Sequence, residues 1–154
     1  MVELGRRLAG WVRAGDLIVL TGELGAGKTT LVRGLGEGLR VRGPITSPTF
    51  VMARVHPSLV DGPDLVHADA YRLEGPLELE DLGLEVSLPD AVTVLEWGAG
   101  LARTLSDSYL ELTLERGTAA DEPGDGVGGL RQVAVRGYGP RWSAGLDPGR
   151  QRLA

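Results

Sequence analysis

Eight consecutive residues, Gly22-Glu23-Leu24-Gly25-Ala26-Gly27-Lys28-Thr29, follow the spacing G-x-x-x-x-G-K-[ST]. A loop of that pattern between a strand and a helix cradles a polyphosphate. Phosphate oxygens need many donors at close range, and glycines let successive backbone N–H groups turn inward with no Cβ in the way. Lys28 is placed to reach β- and γ-phosphates, and the Thr29 hydroxyl to help hold a bridging Mg²⁺. Lys28 is also the only lysine in the chain, every other Lys/Arg position being arginine. A compact charge on a flexible stem is thus kept where it suits this chemistry.

Nucleotide hydrolysis further needs a carboxylate near the metal and a group that orients water. Two acids stand at the ends of apolar runs, Asp69 after Leu65–Ala68 and Glu96 after Val92–Leu95. Ligands of open α/β sheets bind at such strand ends. Each acid also has a plainer reading, Glu96 as a solvated strand-end residue and Asp69 as a turn residue before Tyr71-Arg72. Ser47 and Thr49 either form a segment that folds over a γ-phosphate or serve turn chemistry around Pro48. His56 and His67 are too isolated in the sequence for a metal pair, and His67 reads as a packed or hydrogen-bonded histidine. The chain has no asparagine, so no N-K-x-D guanine reader can be assembled and ATP is favoured over GTP. Its glutamines, Gln132 and Gln151, do not follow the Thr46–Phe50 segment as a water-positioning glutamine would.

The elements that must position these groups follow from periodicity. Leu4, Leu8, Trp11 and Val12 share one helical face, with Trp11 as a core anchor and Gly15 placed to end the helix. Asp16–Thr21 reads as a buried strand, and Leu31, Leu35 and Leu39 give the next helix one apolar stripe. Gly34, Gly36 and Gly38 each cost that helix about 1 kcal/mol relative to alanine, so packing must hold it. Gly43-Pro44 breaks the chain. Strands are expected at Val51–Val55 and Asp64–Asp69 about a turn at Leu59–Pro63. A short acidic helix follows between Pro76 and Gly83, its Glu78-Leu79-Glu80-Asp81 run a solvated face or a partner surface. Ala91–Glu96 reads as a central parallel strand. Tyr109–Glu115 alternates as an edge-side strand, 117–129 is expected to be a flexible connection, Leu130–Val135 a last strand, and 143–154 a disordered tail.

The length fits one domain over 1–142, of α/β class. No cysteine is present, so disulfides and thiolate metal sites are excluded. No apolar run approaches the roughly 20 residues of a membrane span, and the N-terminus lacks a signal-peptide core. The cytoplasm is the expected location. The formal net charge of −5 argues against an autonomous grip on tRNA or DNA, which depends on neutralising phosphates.

Taken together, the phosphate loop with Thr30, Thr46-Ser47-Pro48-Thr49-Phe50, His67-Ala68-Asp69-Ala70-Tyr71-Arg72-Leu73, the Leu77–Gly83 acidic helix and Leu95-Glu96-Trp97 resemble the TsaE (YjeE) family. Its members are small P-loop ATPases of tRNA threonylcarbamoyladenosine biosynthesis, and the likeness runs from about Leu4 to Glu115. The resemblance implies the P-loop NTPase three-layer fold, a mostly parallel central sheet with antiparallel strands added and helices on both faces. It implies binding of ATP and Mg²⁺, slow ATP hydrolysis, and docking on TsaB-type and TsaD-type subunits. Threonylcarbamoyl transfer to adenosine 37 of tRNA would be supported through that complex, with tRNA met only indirectly. Carried over by motif, Gly25, Ala26, Gly27, Lys28, Thr29 and Thr30 form the phosphate cradle. Thr29, Glu96 and Asp69 surround the metal, Lys28, Glu96 and Asp69 act in catalysis, Trp97 neighbours Glu96, and Arg131 supplies a basic contact to nucleotide. Two departures stand out: Met1 lies almost at the first helix, where relatives place a strand first, and Gly98-Ala99-Gly100 follows Glu-Trp, where relatives often have an acid or proline. A P-loop small-molecule kinase and a nucleotide-sensing module without significant turnover remain open as alternatives.

Overall fold

A computed structural model of the chain describes residues 1–49, 52–116 and 131–143. Six strands form one sheet: β1 Leu17–Thr21, β2 Ala53–His56, β3 Asp64–Asp69, β4 Ala91–Glu96, β5 Tyr109–Arg116 and β6 Arg131–Tyr138. Their order is β2-β3-β4-β1-β5-β6. The four inner strands run parallel, while β2 and β6 are added antiparallel at the two edges.

Alternation along the strands sorts side chains into two layers. Ile18 and Leu20 join Val92, Val94, Leu110, Leu112 and Leu114 beneath α1 (Val2–Ala9) and α2 (Lys28–Leu39). Leu17, Val19, Val66, Ala68 and Leu95 face the other way. There they meet Leu79 of α3 (Pro76–Asp81), Leu84 of α4 (Leu84–Ser87) and Ala102 of α5 (Ala102–Leu105). Covered on both faces, β4 buries all six of its residues, as its unbroken apolar run requires. Helices on both faces of a mostly parallel sheet bear out the expected three-layer α/β class.

The expected stripe of α2 holds, with Leu31, Leu35 and Leu39 buried. Gly34 and Gly38 lie where α1 crosses, whereas Gly36 faces Ile45, Val41 and Leu65. A Cβ at Gly34 would strike the Val2 carbonyl, one at Gly38 the Ala9 side chain, and one at Gly5 of α1 the backbone of α2 at Leu31. At Gly34 and Gly38 the propensity loss of about 1 kcal/mol each is offset by backbone-close contact between the two helices.

Several expected boundaries move. The first helix ends at Ala9 with Gly10 as its cap rather than at Gly15, although Trp11 and Val12 do pack against the core. The reason is tertiary. Arg141 donates to the Trp11 carbonyl at 2.9 Å and makes two bonds of 3.0 Å to the buried Asp16 carboxylate. Asp16 in turn accepts the Arg13 N–H at 2.9 Å, so the segment turns into β1 instead of continuing the helix. Of the expected acidic helix, Leu79 is buried but Leu77 is exposed. The second strand starts at Ala53 instead of Val51 and reaches His56. The last strand runs three residues past Val135, and α6 (Pro140–Ser143), which buries Trp142, carries the fold one residue into the expected tail. The expected flexible connection 117–129 and the rest of the tail lie outside the described residues.

Candidate functional site

The phosphate loop leaves β1 at Gly22 and enters α2 through Gly27, which caps the helix at φ 107°, a left-handed conformation natural to glycine. Lys28 is buried, and its ammonium donates to the carbonyls of Gly22 at 2.7 Å and Glu23 at 3.0 Å. Its Nζ also lies 4.1 Å from the centre of the Trp97 ring, a cation–π distance. Burial pulls the Lys28 pKa below the usual lysine value, and the nearby Glu96 and Asp69 carboxylates oppose that shift.

Register brings the two acids together. Asp69 on β3 pairs with Glu96 on β4, and Glu96 pairs with Leu20 on β1, all at the carboxyl ends of parallel strands. Leu20 belongs to the core layer under α2, so Glu96 is presented to that helix. The Thr29 hydroxyl donates to Glu96 Oε1 at 3.2 Å, and His67 Nε2 meets the same oxygen at 2.8 Å. Glu96 and His67 are both buried. The expectation of a hydrogen-bonded His67 is therefore met, and the sequence did not disclose that its partner is Glu96.

Asp69 is reached through hydroxyls. Thr49 Oγ1 donates to Asp69 Oδ2 at 2.6 Å, and Ser47 Oγ lies 2.8 Å from Thr49 Oγ1. With the Thr49 proton directed at Asp69, Ser47 is the donor to Thr49, giving a chain of bonds that ties the segment to β3. Asp69 Oδ1 accepts the Tyr71 N–H at 2.8 Å, so the turn role is realised beside the position next to Glu96.

Trp97 follows Glu96 with φ 61°. A bulky residue held there stores strain of order 1–3 kcal/mol, the sort that is maintained when surroundings over-determine it. Those surroundings are the Leu20 carbonyl, which accepts the Trp97 N–H at 2.9 Å, the Lys28 ammonium, and the Tyr71 ring at 5.2 Å.

These groups enclose a cleft of about 250 Å³. Gly25, Gly27, Lys28, Thr29 and Thr30 line it, together with Ser47, Thr49, Glu96, Trp97 and Arg131. Arg131 is thus brought to the loop from the far edge strand. Ala26 does not line the cleft; its side chain is in the core and its N–H bonds to the Glu23 carbonyl at 3.1 Å. Asp69 stands behind Thr49. Sequence reasoning missed Arg116, whose Nη2 donates to the Leu24 carbonyl at 3.2 Å. The alternation Leu110, Leu112, Leu114 continued by one step would have pointed to it.

The oxygens of Thr29 and Glu96 are hard donors of the kind Mg²⁺ takes. Among the described residues no group of three or more histidine or acidic side chains could hold a metal by itself. The site therefore fits an ion that draws its remaining ligands from phosphate and water, as Mg²⁺ does. Among the described residues no helix is long and apolar enough to cross a membrane.

Sheet, loop and strand-end acids define the class of α/β proteins in which a Gly-x-x-x-x-Gly-Lys-Thr turn joins a central parallel strand to a helix. The family described as Threonylcarbamoyl adenosine biosynthesis protein TsaE matches residues 1–122, and the chain belongs to that family. It is similar to the tRNA threonylcarbamoyladenosine biosynthesis protein TsaE of Streptomyces coelicolor, with 62% identity over 93% of this chain and 94% of that one. The TsaE protein of Mycobacterium tuberculosis H37Rv is 49% identical over 78% of this chain and 76% of its own. That of Bacillus subtilis is 36% identical over 73% and 70%. The crystal structure of Bacillus subtilis YdiB shares the fold, with a TM-score of 0.63, 24% identity, and coverage of 89% of this chain and 77% of that one. The chain is thus a TsaE-family protein of tRNA threonylcarbamoyladenosine biosynthesis.

Proposed function

We propose that this protein binds ATP with Mg²⁺ in the cleft at the carboxyl ends of β1, β3 and β4 and hydrolyses it slowly. On this reading it does so in the cytoplasm, as a subunit acting with TsaB- and TsaD-type proteins. The observation that carries the reading is the convergence of Lys28, Thr29 and Glu96 on one cleft lined by phosphate-loop glycines. Lys28, released from the Gly22 and Glu23 carbonyls, turns its ammonium to the β- and γ-phosphates, while the start of α2 offers its free N–H groups to the same anion. Thr29 and Glu96 are the residues that would hold Mg²⁺, with Asp69 supporting them through Thr49. When bound, the ion neutralises phosphate charge. Glu96, fixed by His67 and Thr29, orients the water that attacks the γ-phosphorus as the bond to the β-phosphate oxygen breaks, giving ADP and phosphate.

The net charge of −5 supports a division of labour in which another subunit holds the tRNA and this one supplies an ATP-driven conformational change. The Thr46–Phe50 segment and the Glu96-Trp97 turn are the parts that can sense a γ-phosphate, so docking belongs beside them. Phosphate release measured with and without a TsaB–TsaD pair tests the proposal. Stimulation by the pair, with no tRNA binding by the isolated chain at about 150 mM salt, is expected. Absence of stimulation, or tight tRNA binding by the protein alone, overturns it and brings the kinase alternative forward.

A further inference from the structure

The apolar stripe of β5 that faces α2 runs Leu110, Leu112, Leu114, and its next position is Arg116. The matching stripe of β6 runs Val135, Val133, and its next position is Arg131. In the antiparallel register Arg116 lies directly opposite Arg131. Directly opposed residues of an antiparallel pair project from the same face, and like charges so placed destabilise the pairing. Among the described residues neither arginine has a carboxylate within ion-pair distance. Both lean on the phosphate loop. Arg116 bonds the Leu24 carbonyl and its guanidinium packs over Gly25, where a Cβ would collide with it. Arg131 lines the cleft, with Nη1 at 3.1 Å from where a Gly27 Cβ would stand. Two cations with no carboxylate partner among the described residues therefore face the loop from the side of β1 away from Glu96, and Lys28 stands between the two sides.

We propose that Arg116 joins Arg131, the basic nucleotide contact that the family resemblance already implies, to form an anion clamp over the phosphate loop, taking the oxygens of a di- or triphosphate on the flank opposite Glu96. This rests on the nucleotide reading above and extends it. The acids and metal serve one end of the phosphate chain, and the arginine pair serves the other, through planar donors suited to phosphate. A bound polyphosphate removes the repulsion that the register imposes, so ligand binding and hairpin stability are coupled. The clamp also sets a preference for longer phosphate chains, since a monophosphate offers the two guanidinium groups fewer oxygens to share.

Calorimetric titration with inorganic triphosphate, ATP and AMP, alongside thermal melting without ligand, tests this on Arg116→Gln, Arg116→Lys and Arg131→Gln. Glutamine removes the charge and keeps a polar, though shorter, side chain. Each glutamine variant is expected to weaken triphosphate and ATP binding by about tenfold or more, the scale of a charge-assisted contact, with a smaller effect on AMP. The ligand-free melting midpoint should hold or rise, and Arg116→Lys should recover part of the affinity. Triphosphate affinity within about twofold of the parent in both glutamine variants overturns the clamp. So does a lowered ligand-free midpoint in Arg116→Gln with no recovery by lysine, which would mark a purely structural role. If the parent protein binds triphosphate but not ATP, the clamp stands and the ATPase reading falls; if it binds neither, both fall.

Discussion

His67 Nε2 and Glu96 Oε1 lie 2.8 Å apart on adjacent parallel strands, both side chains buried, and Thr29 reaches the same oxygen from α2. The carboxylate is thus oriented from two sides, and on the proposed ATPase reading the role of His67 is to position it. Replacing His67 with leucine should leave ATP affinity within about twofold while lowering kcat about tenfold or more, since small misplacements of a reacting group are costly. His67→Gln, which can still donate near Nε2, should restore much of kcat. Equal losses in both variants, or a loss confined to KM, would count against a positioning role.

Glu96→Gln keeps the shape and removes the charge. Nucleotide binding should survive while phosphate release falls by about 10²-fold or more, the scale of lost acid–base assistance. Turnover within a few-fold of the parent would move the role to Asp69.

For Lys28, the loss on substitution by alanine is a charge-assisted contact worth about 1.5–3 kcal/mol, so ATP affinity should fall by roughly one to two orders of magnitude. Calorimetry of Lys28→Ala decides it, and unchanged affinity with unchanged turnover would remove the loop from the mechanism.

His56 supplies a pH dependence away from the cleft. Its ring Nδ1 lies 3.0 Å from the Arg42 carbonyl, which can only accept, so Nδ1 carries the proton and the buried Nε2 has no partner. Burial pushes its pKa below the usual 6.5, against the pull of the Arg42 carbonyl. A lowered folded pKa means that the unfolded chain binds more protons within the window below 6.5. Stability should therefore rise with pH through that window and level off above it. His56→Asn should flatten the slope of melting midpoint against pH there, and an unchanged slope would assign the dependence elsewhere.

How much of this could be read beforehand varied with the range of the interactions. Lys28, Thr29, Glu96 and Asp69 were legible because a motif or a buried run marks each one, and parallel register then brings the strand ends together. The end of the first helix was not, because Trp11 and Val12 continue its period. What stops it is an arginine some 130 residues further on, as the separation of 130 between Arg141 and Trp11 records. The burial of Trp142, one residue before the expected tail, depends on the same distant packing. Arg116 escaped notice because its meaning lies in the residue across from it on β6. The His67–Glu96 contact likewise depends on which strands are neighbours, information that no local pattern carries.

The Arg141 fork on Asp16 bears on how the molecule opens. An edge strand such as β6 would ordinarily be among the first segments to exchange its amide hydrogens, through local fraying of low free energy. Here the short helix that follows it is fastened to the buried carboxylate at the entrance of the central strand, with Trp142 seated in the core beneath α1 and α2. Peeling β6 away past that point therefore exposes the middle of the sheet. The amides of β6 nearest Tyr138 should exchange with the slow, cooperative kinetics of β1, whereas those nearest Arg131 should exchange faster. The strand thus opens as a hinged flap from its phosphate-loop end.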